Sequence, residues 1–152
     1  MVSNRFYVLM VATLLVISCA KNGEVCTAQA PAPGLSVFYT GPKTGDFSIQ
    51  GFDYFGSISS VNGANFSIQW EAFSGPRNQS SNEFVTQGSC TPSHKGKRVR
   101  YTGPQGPSEF YFPNAGTVYE GSVQAAFPDN RFQVLWDATS DTSLTSGDQL
   151  KF

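Results

Sequence analysis

Apolar and polar residues alternate along two stretches of the chain that lie 66 residues apart, NFSIQWEA (65–72) and RFQVLWDA (131–138). In each, Phe, an aliphatic residue, Trp and Ala occupy alternate positions, and a period of two predicts a half-buried β-strand. The residues expected to face inward are Phe66, Ile68, Trp70, Ala72, Phe132, Val134, Trp136 and Ala138. The residues between them are expected to face outward, Gln133 included, and Leu135 is expected to contact the other copy.

Further motifs recur in the same order. YTGP (39–42) returns at 101–104, Tyr54 with Gly-Ser-Ile returns as Tyr119 with Gly-Ser-Val, and Glu-Phe (83–84) is echoed by Gln-Leu (149–150). The offset between the copies grows from 62 to 65 to 66, as small insertions between matched strands would produce. Three ordered anchors predict an internal duplication.

Each copy centres on a predicted hairpin. VNGA (61–64) carries the Asn-Gly hairpin signal, and FPDN (127–130) joins the alternating stretch 117–125 to the second Trp strand. The YTGP strand precedes each hairpin and a short strand closes each copy. No helical periodicity follows residue 20, so we predict an all-β protein with a first unit at 35–90 and a second at 91–152.

The second unit resembles SH3-like barrels of the Tudor, agenet and chromo-barrel kind. The resemblance rests on a basic opening strand, KGKRVRY, followed by YEGSV, a turn and FQVLWD, and it covers 96–152 and more loosely 35–87. It implies two tandem SH3-like small barrels. In such barrels aromatic side chains at strand ends form a cage for methylated ammonium groups, and Tyr39, Tyr54, Tyr101 and Tyr119 take those positions by resemblance. An exported protein meets no histone tail, so that ligand is not carried over.

A second resemblance gives the alternative. GLSVFYTG (34–41), followed by NFSIQWEAF and Gly75-Pro76, is similar to the opening of PA14-type β-sandwiches, some of which bind glycans. It implies a secreted carbohydrate-binding protein. A sandwich would place Phe66 and Phe132 in one continuous core, whereas two barrels would have separate cores.

The N-terminus predicts export. Arg5 precedes an eleven-residue apolar run, 7–17, which is too short to span a bilayer that needs about 20 residues. Val16-Ile17-Ser18-Cys19 resembles the lipobox of bacterial lipoproteins, which implies a signal peptide at 1–18, acylation of Cys19, and a tether at 19–34. Because no Asp follows Cys19, the same resemblance favours the outer membrane. Cleavage after Ala20 to give a secreted or periplasmic protein, and an uncleaved anchor, are the alternatives.

Export also bears on the other cysteines. With Cys19 acylated or removed, Cys26 and Cys90 form an even pair, and an oxidising compartment favours a disulfide over two free thiols. The chain has a single histidine, His94, which gives no basis for a zinc site. We predict no metal and no cofactor.

The charge of the chain limits the classes of partner that we expect. The net charge is −1, so no global field attracts nucleic acid. The one basic cluster, SHKGKRVRY (93–101), contains Lys97, Arg98 and Arg100. Its default interpretation is a solvated edge strand protected by charge. The alternative is a contact for an anionic partner such as lipopolysaccharide, teichoic acid or peptidoglycan carboxylates.

Catalytic motifs are not recognisable. His94 lies in a turn-rich segment and is expected to be solvated, and Glu71 and Asp137 are expected to be solvated charges at strand ends. The sequence has no Gly-x-Ser-x-Gly, phosphate loop or His-Glu-x-x-His. We therefore predict a non-enzyme, a binding or scaffolding module of the cell envelope whose partner is a protein or a cell-wall polymer.

Overall fold

The structure is a computed structural model that describes residues 26–152. The predicted signal peptide, the lipobox-like junction and the lipidation site Cys19 lie outside this range. Between residues 26 and 152 no helix is both long and apolar enough to cross a membrane.

The protein is all-β and consists of two five-stranded antiparallel sheets. The strands of the first unit are β1 (Ser36–Tyr39), β2 (Phe55–Asn62), β3 (Asn65–Trp70), β4 (Arg77–Ser80) and β5 (Phe84–Thr86). The strands of the second unit are β6 (Arg98–Tyr101), β7 (Glu120–Phe127), β8 (Arg131–Trp136), β9 (Thr142–Ser146) and β10 (Leu150–Lys151). The helical elements are 3-10 turns at Gly45–Phe47 and Gly147–Gln149 and the one-turn helix α1 (Thr91–His94).

The two sheets share one topology. The strand order is β4-β3-β2-β1-β5 in the first unit and β10-β6-β7-β8-β9 in the second, which is the same order once each unit is numbered from its own first strand. Both central hairpins carry an irregularity at the same place, after Ile58 in β2 and after Val123 in β7. The predicted pair of equivalent β units is therefore confirmed. In neither unit do the described outer strands pair with each other, so each sheet is open rather than a closed barrel.

Each unit has its own aromatic core. Trp70 and Phe66 lie in the first core, and Trp136 and Phe132 lie in the second. This separation argues against a single continuous sandwich core. The inward prediction is confirmed for the Phe, aliphatic and Trp positions of both Trp strands, which are buried. It is wrong for Ala72 and Ala138, which are exposed because the strands end at the Trp residues.

Close packing explains why the same glycines recur. A Cβ atom on Gly41 or on Gly103 would lie 2.5 Å from the hydroxyl oxygen of Tyr39 or Tyr101, respectively, so the YTGP motif folds its glycine under its own tyrosine ring. A Cβ on Gly56 would lie 2.6 Å from the Gln69 carbonyl oxygen and 3.0 Å from the Trp70 ring. Real Cβ atoms do not tolerate such contacts, and the repeated glycines are therefore packing requirements.

A small third core joins the two units. Phe38 and Phe55 of the first unit pack against Ala125 and Phe127 of the second, and the Phe38 and Phe127 rings meet edge to face with centroids 4.8 Å apart. The irregularity in β7 makes this contact possible. It shifts the alternation by one residue, so Val123 and Ala126 face the second core while Ala125 and Phe127 face the first unit.

A disulfide joins Cys26 to Cys90, with the Cα atoms 5.0 Å apart, which confirms the predicted pair. The same region of the chain is held by backbone pairing between Ala28 and Gly88. Residues 26–29 of the predicted tether thus run along the segment that connects the two units.

Candidate ligand groove between the two units

The four tyrosines suggested for ligand binding lie in the two cores. Tyr39, Tyr54, Tyr101 and Tyr119 are each at most 9% exposed. The Tyr54 hydroxyl accepts a hydrogen bond from the Ile49 N–H, and the Tyr119 hydroxyl accepts one from the Asn114 N–H, both at 3.2 Å. Tyr39 and Tyr54 lie together in the first core, and Tyr101 and Tyr119 lie together in the second. All four are core side chains, so they do not form an open cage.

In each core a phenylalanine ring stacks on a tyrosine, where an aromatic cage would hold its methylated ammonium ligand. Phe47 stacks on Tyr39 with ring centroids 3.9 Å apart, and Phe112 stacks on Tyr101 at 3.6 Å. Both also meet the core Trp edge to face. Sequence reasoning missed this pair, although their offset of 65 residues equals that of Tyr54 and Tyr119.

The basic strand is not at the edge of its sheet, which corrects the sequence-based expectation. β6 pairs with β7 on one side and with β10 on the other, because the C-terminal strand returns beside it. Arg98 forms an ion pair with Asp137, and Arg100 pairs with Glu120 at 2.8 Å. The Arg98 guanidinium lowers the pKa of the Asp137 carboxyl by direct hydrogen bonding. Lys97 is exposed just before the strand.

Two polar residues expected in solvent are buried. His94 is 5% exposed, because α1 packs against β7 and places the imidazole against Phe132 and Phe152, with ring centroids 5.2 Å and 5.8 Å away. Gln133 is also 5% exposed, because its side of β8 faces the first unit. Its amide nitrogen donates a 3.2 Å hydrogen bond to the carboxylate of Glu71.

A depression of about 440 Å³ lies between the two units and is lined by residues from both. Its aromatic residues are Phe52 and Phe55 from the first unit and Phe110 and Tyr111 from the second; its acidic residues are Asp53, Glu71 and Asp141. Phe110 is 56% exposed, and its ring meets that of Phe52 with centroids 6.2 Å apart. An exposed aromatic ring beside carboxylates distinguishes this surface from the filled cores.

A second depression of about 310 Å³ adjoins the first. Glu71 and Thr142 line both, so the two adjoin along the boundary of the units, and together they are called here the inter-unit groove. The second part carries the polar side chains of Ser36, Lys95, Gln124 and Gln133 together with Leu135. Leu135 lines this part together with Ser36 and Glu71 of the first unit and is 37% exposed, and its expected contact with the other copy stays a prediction.

Asp53 fixes the geometry of the groove floor. Its carboxylate accepts a 2.8 Å hydrogen bond from the backbone N–H of Leu144, and its own N–H donates to the Tyr111 hydroxyl at 2.8 Å. One residue of the first unit thereby holds both the edge strand β9 and the Tyr111 loop of the second. Burial is the dominant effect on the Asp53 carboxyl and raises its pKa, against the opposing effects of the Leu144 N–H, the Lys43 charge and the Tyr111 hydroxyl.

We expect the Asp53→Asn variant to remove part of the pH dependence of stability. Because the folded pKa is raised, the folded state retains a proton that the unfolded state loses, so the Asp53 contribution is present below pH 3.8 and is lost as the pH rises through the folded pKa. The asparagine oxygen can still accept from Leu144 but does not titrate. The unfolding free energy of the variant, relative to the natural protein, should therefore increase with pH by at most about 1.4 kcal/mol per unit.

Urea unfolding of both proteins between pH 3 and pH 7 measures this difference. A difference that stays constant across the range would show that Asp53 titrates alike in the folded and unfolded chains.

Among residues 26–152, no group of three or more His, Cys, Asp or Glu side chains is placed to hold a metal ion. No protein-family model matches the chain, and no curated protein matches it.

Proposed function

We propose that the protein is a non-catalytic binding module of the cell envelope and that its ligand lies in the inter-unit groove. The observation that carries the proposal is the exposed Phe110 ring beside Phe52 in one depression of the inter-unit groove, which adjoins the other depression at Glu71 and Thr142. Ligand sites are concave, partly aromatic, and supplied with a few convergent polar groups, and this groove has all three properties.

The groove composition favours a linear polymer rich in hydroxyl groups, such as the glycan part of a cell-wall polymer. Aromatic rings pack against the C–H faces of such a chain, while carboxylates accept hydrogen bonds from its hydroxyls. The groove offers Phe52 and Phe110 for the first purpose and Glu71 and Asp141 for the second. Its second part extends the same surface with the amides of Gln124 and Gln133.

The non-catalytic part of the proposal is supported by where the candidate chemical groups lie. His94, the single histidine, is packed between Phe132 and Phe152 and does not line the groove. Asp53 is engaged by Leu144 and Tyr111 at the groove floor. These contacts give His94 and Asp53 structural roles, His94 in the second core and Asp53 between the units.

The envelope location and lipid anchor are also proposed, on the basis of the N-terminal sequence. The intact mass of the mature protein tests the lipid anchor, since an unmodified chain beginning at Lys21 would exclude acylation at Cys19. The SH3-like class of each unit is proposed as well, supported by the strand order and by the inward Trp on the third strand.

Replacing Phe110 with Ser should weaken binding of soluble peptidoglycan glycan fragments by about tenfold, because the ligand loses its exposed aromatic contact. Isothermal titration with these fragments measures the change. Val118→Ser is the matched control, since Val118 is 59% exposed on the same unit and lines neither part of the groove.

Equal affinities for the natural protein, Phe110→Ser and Val118→Ser would place the ligand elsewhere. If no fragment binds, but envelope proteins are retained by the natural protein and lost with Phe110→Ser, the partner is a protein and the glycan assignment is wrong.

A further inference from the structure

The contact between the units uses one row of residues across three strands of the first unit. Phe38 on β1 is the register partner of Phe55 on β2 and of Val85 on β5. Phe38 and Phe55 are buried in the joining core, and Val85 packs against it. Onto this row the second unit places the end of its β7–β8 hairpin, with Phe127 against Phe38 and the Arg131 guanidinium 4.6 Å from the Phe38 ring centroid.

The second unit carries the same row with different chemistry. Arg100 on β6 is the register partner of Glu120 on β7 and of Lys151 on β10. The offsets from Phe38, Phe55 and Val85 are 62, 65 and 66 residues, the same three offsets that relate the repeated sequence motifs. The row is therefore structurally equivalent to the docking row of the first unit, with charged residues in place of apolar ones.

This charged row, with Arg98 and Phe152 at its rim, is called here the second-unit face. It is open to solvent: the side chains of Arg98, Arg100 and Glu120 are each about half exposed, and they line a depression of about 270 Å³ with Lys151 and Phe152. Arg98, Arg100 and Lys151 outnumber the two carboxylates of Glu120 and Asp137 by one, so the depression has a small net positive charge. The two arginines are already paired with those carboxylates, and an acidic ligand would share or displace them.

We propose that the second-unit face is a second docking surface and that its partner is an acidic protein segment. The segment lies where the β7–β8 hairpin lies on the first unit. Two observations support this occupant: equivalence with an interface that the molecule already uses, and charge complementarity, since arginines pair well with carboxylates. Phe152, which is 45% exposed, supplies an apolar contact at the rim.

The two units also differ at the hairpin positions that take part in the contact. Ser60, Val61 and Asn62 stand where the second unit has Ala125, Ala126 and Phe127, and they are exposed. The first unit thus provides the apolar face and the second provides the apolar hairpin. At these positions both hairpins present uncharged side chains, whereas the second-unit face is charged, so the partner differs in chemistry from either hairpin position of a second copy.

The test uses a fluorescein-labelled ten-residue glutamate peptide, with a ten-residue lysine peptide as the sign control. Fluorescence anisotropy at 50 mM and 300 mM salt should show binding of the glutamate peptide that weakens with salt. The double variant Arg100→Gln, Lys151→Gln should bind about tenfold more weakly. Arg77→Gln is the matched control, because Arg77 is also a half-exposed arginine in an ion pair, with Asp46, but lies on the first unit.

The proposal is overturned if Arg77→Gln weakens binding as much as the double variant, because the effect would then reflect overall charge. It is overturned equally if heparin binds and the glutamate peptide does not, since the surface would then suit a polymer rather than a protein segment. Phe110→Ser should leave peptide binding unchanged, which separates this site from the inter-unit groove. An unchanged thermal midpoint shows that each variant is folded.

Discussion

Replacing Trp136 with Ala lowers the free energy of unfolding by about 3–5 kcal/mol, the usual effect of truncating a large buried aromatic side chain. Trp136 is 1% exposed, and its ring meets Phe112 and Tyr101 edge to face at 5.1 Å and 5.9 Å. Its indole N–H donates a 2.8 Å hydrogen bond to the buried hydroxyl of Ser143. The variant therefore leaves a cavity and removes one hydrogen bond of the Ser143 hydroxyl, which keeps its 2.9 Å hydrogen bond with the Thr145 hydroxyl.

Urea unfolding followed by near-ultraviolet circular dichroism measures this loss. Phe110→Ala is the control within the same unit, because Phe110 is largely exposed and its truncation should change stability by less than about 0.5 kcal/mol. A loss below about 1 kcal/mol for Trp136→Ala would mean that Trp136 is not the centre of the second core.

Replacing both Cys26 and Cys90 with Ser lowers the free energy of unfolding by about 4 kcal/mol. The disulfide joins residues 64 apart, and breaking it gives the unfolded chain the conformational freedom of a long open loop. Cys90 is also buried in the second core, with Cys26 packed against it, so the link contributes contacts as well as a constraint.

The urea midpoint of the double variant should match that of the natural protein in excess dithiothreitol, and dithiothreitol should leave the variant unchanged. If reduction does not move the midpoint of the natural protein, the link contributes nothing to stability.

Local patterns were sufficient for much of this fold. The two Trp strands, both hairpins and the equivalence of the units follow from period-two alternation, from turn residues and from ordered repeats. The sequence shows that certain glycines recur in both units, but it does not show which close contacts require them. Only the tertiary structure shows that Gly41 lies under the Tyr39 ring and that Gly56 lies against Trp70.

Three of the predictions that failed share a physical cause. Alternation reports on which side of a strand a residue lies, but it does not report what covers that side. Gln133 was expected in solvent, yet the first unit covers it. His94 was expected in solvent, yet the turn that holds it packs on β7. The basic strand was expected at an edge, yet β10 pairs with it.

The sequence by itself determined the all-β class, the two equivalent units, their inward Phe and Trp residues, and the partner of Cys26, because strand periodicity, turns and cysteine number act locally or by simple counting. Only the tertiary structure decided the inter-unit groove and the two docking rows. A one-residue irregularity in β7 turns Ala125 and Phe127 toward the first unit, and contacts between residues some 90 positions apart, such as Asp53 with Leu144, then set the relation of the units. Such contacts depend on how two faces meet in space, and no pattern within either strand encodes that.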